Sequence, residues 1–341
     1  MSAPPHSEAE TQPIRRPRAR RRRRFGVVRW TFAVVLGAGA SVATFPDRLG
    51  IDTRSPFAQL IAFRPVVVAG VGVLALVGLL ITAMNRRFWP VPAVLALVGV
   101  VGASLVLPRT VAEAAPAGGS TLKVLAANVY EGRADADSLA ALIIAEDPDI
   151  VSIPESGGRF ARELAPYLEP HGYRVEASNS TRARDVTGNT IIVAERLGDV
   201  RFRVGDEVRF PYIEATGGGL GDLRFVAFHS VAPMPRSVAT WRADLGVLPQ
   251  WCRGEGPAVI AGDFNATLDH SVFREAIAGC RDAGSQAGNG LTGTWPTWAP
   301  AWLGPQIDHV IATKPIVAES FETRLVPGSD HRAIVATLRL P

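Results

Sequence analysis

The sequence predicts an α+β domain of packed sheets and helices, carried behind three membrane-spanning helices. Three observations predict it. Three windows of about 20 apolar residues, the length that crosses a bilayer as a helix, lie within residues 25–107. Short apolar runs bounded by turn residues then alternate with fewer helical stripes over residues 121–341. A Pro, Ala and Gly-rich stretch, PRTVAEAAPAGGS at 108–120, separates the two and reads as a linker. At 341 residues the chain has room for about two domains.

Residues 1–24 hold eight arginines, all between Arg15 and Arg24. So dense a block of like charge repels itself and buries nothing, which predicts a basic disordered arm. The apolar windows follow at 26–45, 65–84 and 88–107; the second and third carry no charge, and the first only Arg29 near its end. The arginine bias predicts a cytoplasmic arm and a cytoplasmic Asn85-Arg86-Arg87 turn, with Trp30 and Trp89 at that interface. Three crossings that start inside place residue 121 onward outside the cell membrane, as a multi-pass protein with an extracytoplasmic C-terminal domain. If residues 1–43 were instead a cleaved export signal, two crossings would remain and the domain would still lie outside.

In the globular part, LKVLAANV (122–129) alternates as a strand does. DADSLAALIIAEDPD (135–149) opens on an Asp cap, carries a helical apolar stripe and stops at Pro148. DIVSIPES (149–156) is a second strand. Further strands are expected near 190–195, 207–216, 222–230, 257–261, 307–312 and 332–339, and helices near 158–168, 236–250 and 270–280.

From residue 121 the chain has 21 Lys and Arg against 27 Asp and Glu, a net −6, so the overall +4 comes from the arm and the flanks of the apolar windows. A mildly acidic domain argues against sequence-independent binding of nucleic acid by charge alone, though not against a nucleic-acid substrate. The two cysteines, Cys252 and Cys280, flank the strand at 257–261 in the exported part. A disulfide and two buried thiols are both open at this level; nothing in their spacing suggests a metal site or a nucleophile.

The polar residues cluster at strand ends. AANVY places Asn128 after the first strand, and SIPES places Glu155 after the second. VAFHS ends a strand in His229, and AGDFNAT ends one in Asp263 and Asn265. QIDHV supplies Asp308 and His309, and GSDHR supplies Asp330 and His331 before the last strand. Any one of these reads as an Asx-turn, a cap or a solvated charge; six in this order, each abutting an apolar strand, point to a site. In GDFN, SDH and the intervening IDHV, residues 120–341 resemble the endonuclease/exonuclease/phosphatase superfamily, the DNase I-like metal-dependent phosphoesterases. The resemblance implies a four-layer α/β/β/α sandwich with the site at one end of the sheets.

The chemistry of phosphoester hydrolysis matches this residue set, since it needs charge neutralisation, an activated water and a proton for the leaving oxygen. By resemblance, Glu155 is the principal ligand of Mg²⁺ (Mn²⁺ is an alternative), helped by Asn128 and Asp330. Asp263 orients or deprotonates the attacking water, and Asn265 holds a phosphate oxygen. His331, oriented by Asp308, contacts the phosphate, and His229 protonates the leaving group. Asn189 is a further candidate, and His309 is expected to face away from Asp308 by strand alternation. Tyr130 stands where nuclease members often carry an acid, and SIPES replaces their commoner Gln-Glu pair. The expected function is therefore a membrane-anchored phosphoester hydrolase acting on nucleic acid or on lipid or glycan phosphates. The alternative is a non-catalytic module of the same fold that binds a phosphorylated ligand. Trp295, Trp298 and Trp302 can stack on a substrate, touch lipid or cover the sandwich edge. No protein partner is inferable.

Overall fold

A computed structural model describes residues 18–114 and 118–341. The apolar windows form α1 (Arg18–Thr44), α2 (Arg64–Met84) and α3 (Pro90–Val106). All three helical regions are long and apolar enough to cross a membrane. Their contact is built on small residues: a Cβ on Gly102 would meet Val68 and Thr44, and one on Gly37 would meet Val94, so the helices approach as closely as glycine allows. Apolar side chains such as Leu76, Leu80, Leu97 and Val100 stay exposed on the outside, as lipid-facing positions do. Helix α1 begins at Arg18, inside the arm expected to be disordered. Arginine is a good helix former, and a helix nucleated by the apolar span extends into it. Residues 1–17 of that arm lie outside the described residues.

Twelve strands make two six-stranded sheets. They are β1 (Thr121–Ala126), β2 (Ile150–Pro154), β3 (Tyr173–Ala177), β4 (Asn189–Ala194), β5 (Val200–Gly205), β6 (Tyr212–Gly217), β7 (Arg224–His229), β8 (Ala258–Asp263), β9 (Cys280–Asp282), β10 (Asp308–Thr313), β11 (Val317–Leu325) and β12 (Arg332–Arg339). The orders are β11-β12-β1-β2-β4-β3 and β5-β6-β7-β8-β10-β9. Among the described strands, β1–β2 and β7–β8 pair in parallel and the rest antiparallel. Helices α4 (Ala136–Glu146) and α5 (Gly158–Leu168) cover the outer face of the first sheet; α6 (Val238–Leu245) and α7 (Ser271–Ala276) cover that of the second.

This is the four-layer α/β/β/α sandwich, and strand alternation explains its three cores. Val124, Ala126, Ile150, Ile213, Ala227, Ala261, Val310 and Ile334 meet between the sheets. Their alternate neighbours Leu125, Val151 and Ile192 face Leu139 and Phe160, while Val226, Phe228 and Ile260 face Trp241 and Phe273. The helix expected from Asp135 has that residue as its cap, accepting from Ser138 N at 2.8 Å. The strand expected over 207–216 is shorter, because Pro211 lacks the N–H that would continue the ladder and pairing starts at Tyr212. Strands β3, β5, β9 and β11 were not expected; they are the four sheet edges.

The segment expected as a linker is seated on the domain over its first half. Arg109 donates to Asp269 Oδ1 at 2.7 Å and Oδ2 at 3.0 Å, its carbonyl accepts from Gly290 N, and Glu113 N bonds the Gln286 carbonyl. The loop between α1 and α2 docks beside it. Arg64, 1 % exposed, donates to Asp269 Oδ1 at 2.9 Å, to the Thr44 carbonyl and to Asp47. Asp52 accepts from Ser271 N at 2.7 Å, and His270 Nε2 lies 2.8 Å from the Ala58 carbonyl oxygen. Cys252 and Cys280 are joined as a disulfide that ties the short helical turn Pro249–Cys252 to the edge strand β9.

Candidate active site

Sheet register builds the site. Parallel pairing sets His229 beside Asp263, and antiparallel pairing sets Asp308 on the other side of Asp263. The three form one row across the second sheet, on the face of Ala227, Ala261 and Val310, so they point into the layer between the sheets just beyond its apolar core. Gly262 permits this. Its φ is +143°, and a Cβ there would stand 2.0 Å from the Phe228 carbonyl oxygen. On the facing sheet, Asn128 and Glu155 leave the ends of the parallel pair β1–β2. Glu155 and Asn265 turn out of their strands in the left-handed region, at φ 57° and 47°, as do Tyr130 and Glu131 next to Asn128. Four of the five non-glycine residues with positive φ among the described residues are therefore in this site. Such backbone costs of order 1 kcal/mol or more at each position and is retained where the surroundings over-determine it.

The side chains converge. Asn128 Nδ2 donates to Glu155 Oε1 at 3.1 Å and to Asp263 Oδ2 at 3.0 Å, holding the two carboxyl groups together from opposite sheets. Glu155 Oε2 accepts from Glu131 N at 2.7 Å. His331 Nδ1 lies 2.9 Å from Asp308 Oδ2, and its Nε2 is 3.9 Å from Asp263 Oδ2. His229 Nε2 is 3.9 Å from both Glu155 and Asp263. Asn265 Nδ2 donates to the Ser230 carbonyl at 2.9 Å and reaches Asp263 Oδ2 at 3.3 Å. Asp330 accepts from the Trp295 indole at 3.1 Å, while its other oxygen is buried without a hydrogen bond, 3.9 Å from His331 Nε2.

Charge follows from burial. Removal from water, then the neighbouring Asp308, pushes the Asp263 carboxyl up to about 8. Glu155 is raised mainly by burial, against the pull of Asn128 and the Glu131 N–H. Burial opposes a charge on His331, but the ion pair and hydrogen bond with Asp308 outweigh it and lift the imidazole to about 10. His229 has no such carboxylate partner; burial, and then the charge of His331, lower it to about 3. It is a neutral imidazole stacked on Phe210 at 4.6 Å, with Nδ1 unpartnered.

Four carboxyl groups thus face one imidazolium. Ligand atoms of Glu155, His229 and Asp263 lie within 4.8 Å of one another, as do those of Asp263, Asp308 and His331. The unpartnered Asp330 oxygen and the raised carboxyls are what a divalent cation would relieve, so the donor set fits one. Asn128 presents its NH₂ to the two carboxyls and would have to turn its carbonyl inward to serve as a ligand.

All eight residues singled out for the chemistry lie at this end of the sandwich. Asn189 pairs with Pro154 at the end of β2 and donates to the Pro211 carbonyl, its own oxygen buried and unpartnered. His309 faces the opposite side, bonded to Asp282 and the Ala266 carbonyl. Four residues take supporting roles that the sequence did not assign: Phe210 against His229, Ser230 behind Asn265, Ser329, whose hydroxyl donates to the Asn128 carbonyl at 2.7 Å, and Trp295, expected to meet substrate, lipid or the sandwich edge and found on Asp330.

Comparison with known proteins gives the same fold. The profile of the Endonuclease/Exonuclease/phosphatase family matches residues 125–331. Among solved structures, a humanized TDP2 of D. rerio superposes with a TM-score of 0.51 at 16% identity, over 64% of this chain and 99% of that one. An endonuclease/exonuclease/phosphatase family protein from Bacteroides thetaiotaomicron gives 0.50 at 14% identity, over 66% and 99%. A functionally unknown conserved protein from Enterococcus faecalis gives 0.50 at 15%, over 64% and 100%. No curated protein matches the chain.

Proposed function

Because the chain belongs to the endonuclease/exonuclease/phosphatase family, whose members are metal-dependent hydrolases of phosphoester bonds, we propose that it is a membrane-anchored, extracytoplasmic, Mg²⁺-dependent phosphoester hydrolase. The observation that carries the catalytic part is the convergence of Asp263, the His331–Asp308 pair, His229 and the Asn128-linked Glu155 at one end of the sandwich.

Glu155, Asp330 and a turned Asn128 would hold the cation, an oxygen donor set that suits Mg²⁺, with Mn²⁺ as the alternative. When bound, it supplies neutralisation of charge on the phosphoryl oxygens. The remaining work falls to the chain. Asp263, raised by burial, takes a proton from water near neutral pH and aims that water at phosphorus. The His331 imidazolium and the Asn265 amide stabilise charge on the phosphoryl oxygens. His229 is neutral in the free site; an arriving phosphate beside it favours its charged form, and it then returns that proton to the leaving oxygen.

The anchor consists of α1–α3 with the N-terminus cytoplasmic, as the arginine bias directs. The Cys252–Cys280 disulfide supports the same side assignment, since such bonds persist in oxidising compartments. To test the activity, the full chain in detergent is assayed on a generic phosphodiester with Mg²⁺ and with EDTA. Hydrolysis should require the metal and fall about 10²–10³-fold in Asp263→Asn and His331→Ala. Metal-independent turnover, or full activity in both variants, would contradict the assignment.

A further inference from the structure

We propose that the phosphoester taken by this site is amphiphilic: a phosphorylated headgroup on a hydrocarbon chain that remains in the membrane beside α1–α3. The inference rests on the hydrolase reading and adds its substrate class.

Three segments that carry site residues run directly onto the membrane unit. His229 continues to Pro233, whose carbonyl accepts the Gln59 side-chain amide. Asn265 continues to Asp269 and His270, which bind Arg64 and the Ala58 carbonyl. In each case the contact lies four or five positions along the chain from the site residue, about 14–18 Å at full extension. The third segment is the loop over 293–304. Trp295 at its start holds Asp330, and Gly304 and Pro305 at its end line a small cavity together with Ala62 and Pro65, where α2 begins. The buried Arg64–Asp269–Arg109 cluster fixes this arrangement, so the mouth of the site keeps its place against the membrane helices.

Large apolar side chains stand exposed on these segments, beside the exposed Arg236 and, on the Glu131 side of the site, Arg133 and Arg184. Trp298 is 84% exposed, Trp302 71% and Met234 60%. Tryptophan is favoured where hydrocarbon meets water, and large apolar groups left in solvent mark contacts with lipid or ligand. Here they stand on the segments that join the phosphate-contacting residues to the start of a membrane helix. A soluble polyanion would instead require a basic face, and residues 121–341 carry a net −6. Headgroup phosphate at His331 and Asn265, with the chain passing Trp298 toward α2, satisfies both ends of the surface.

The test uses the full chain in nanodiscs with Mg²⁺. Two amphiphiles, a glycerophospholipid and a polyprenyl-linked phosphodiester, are incorporated in the same discs. Their headgroups on four-carbon chains, and plasmid DNA, are supplied in solution. At least one amphiphile should exceed its short-chain form in kcat/KM by about 100-fold, the effect of three or four methylenes kept out of water. Which of the two does so identifies the source. The double variant Trp298→Ala/Trp302→Ala should raise KM for that amphiphile about tenfold and leave the short-chain reaction unchanged, which also reports an intact fold. Short-chain substrate or DNA cleaved as efficiently as the amphiphile, or equal losses on both in the double variant, overturns the inference and leaves the hydrolase reading standing. Absence of Mg²⁺-dependent hydrolysis in every arm overturns that reading and the inference with it.

Discussion

Replacing Asp269 with alanine tests whether the N-terminal helical unit and the sandwich are one structure. Asp269 is 1% exposed and accepts three charged hydrogen bonds, one from Arg64 and two from Arg109. With Arg274 and Asp47, which also pair, the cluster holds three guanidinium groups against two carboxylates. Asp269→Ala leaves three against one, with Arg64 still buried. Removing one partner of a buried pair costs about 3–5 kcal/mol, a factor of about 10²–10³ or more in the ratio of docked to undocked states. Both arginines that bind the Asp269 carboxylate precede the sandwich in the chain, so the cost falls on docking rather than on the sandwich. Hydrogen exchange of the full chain in detergent reads this directly. Amides that bridge the junction, Ser271 to Asp52 and Gly290 to the Arg109 carbonyl, should lose protection by about that factor. Those in β1, β7 and β8 should keep theirs. Protection lost uniformly, or not at all, would refute the view that this cluster holds the two parts together.

Activity should follow a bell-shaped pH profile, its acid limb set by Asp263 and its alkaline limb by His331. Asp308→Asn removes a like charge from Asp263 and a partner charge from His331, so both limbs should move to lower pH; limbs that stay in place would show that other groups titrate. The same pair affects stability. His331 is raised from 6.5 to about 10, so its contribution is full below pH 6.5 and is lost as pH climbs through 10; Asp308→Asn should flatten that part of the Tm–pH curve. Cys252→Ser/Cys280→Ser opens a crosslink of sequence separation 28 and should cost about 3 kcal/mol. Tm should fall by roughly 6–12 °C, with turnover of a soluble diester preserved, and a reductant should reproduce the shift. A periplasm-dependent reporter fused at residue 120 should be active, whereas a silent fusion would reverse the topology.

What could be read from the sequence divides by how local its cause is. Most central strands were legible because they are buried on both faces and appear as apolar runs, as in Val259-Ile260-Ala261, while β1, broken by Lys123, was legible by its alternation. The four edge strands were not. In β5, Arg201 and Arg203 alternate with Phe202 and Val204, and in β11 Glu319, Glu322 and Arg324 interrupt the run. Edges carry such charges because one side of the ladder meets solvent, and the same charges erase the apolar signal. The chemical residues were legible as short motifs, GDFN and SDH, whose spacing survives divergence. Their supports were not, because Phe210 and Trp295 act through contacts that only the folded sandwich brings about. The docking cluster was the least accessible. Asp269 and His270 directly follow GDFN, yet Arg64 is 205 and Arg109 160 residues from Asp269, and no local pattern pairs them.

That cluster alters how the catalytic loop is understood. Residues 262–270 meet three demands in nine positions. Gly262 and Asp263 are placed by the pairing of β8 with β7 and β10. Phe264 turns away from the site into the second core, stacked on Phe228 at 5.1 Å. Asp269 and His270 bind Arg64, Arg109 and the Ala58 carbonyl of the N-terminal part. Asn265, between these anchors, sits in left-handed backbone with its amide on the Ser230 carbonyl. A strained residue keeps its geometry only when both sides are held; here one side is held by the sheet and the other by α2 and its loop. A soluble fragment beginning near residue 118 would delete Arg64, Arg109 and Ala58 together. It would leave the Asp269 carboxylate and the His270 imidazole without these partners, five residues or fewer from the Asn265 amide. The N-terminal helices and their loop therefore hold one end of the segment that carries Asn265.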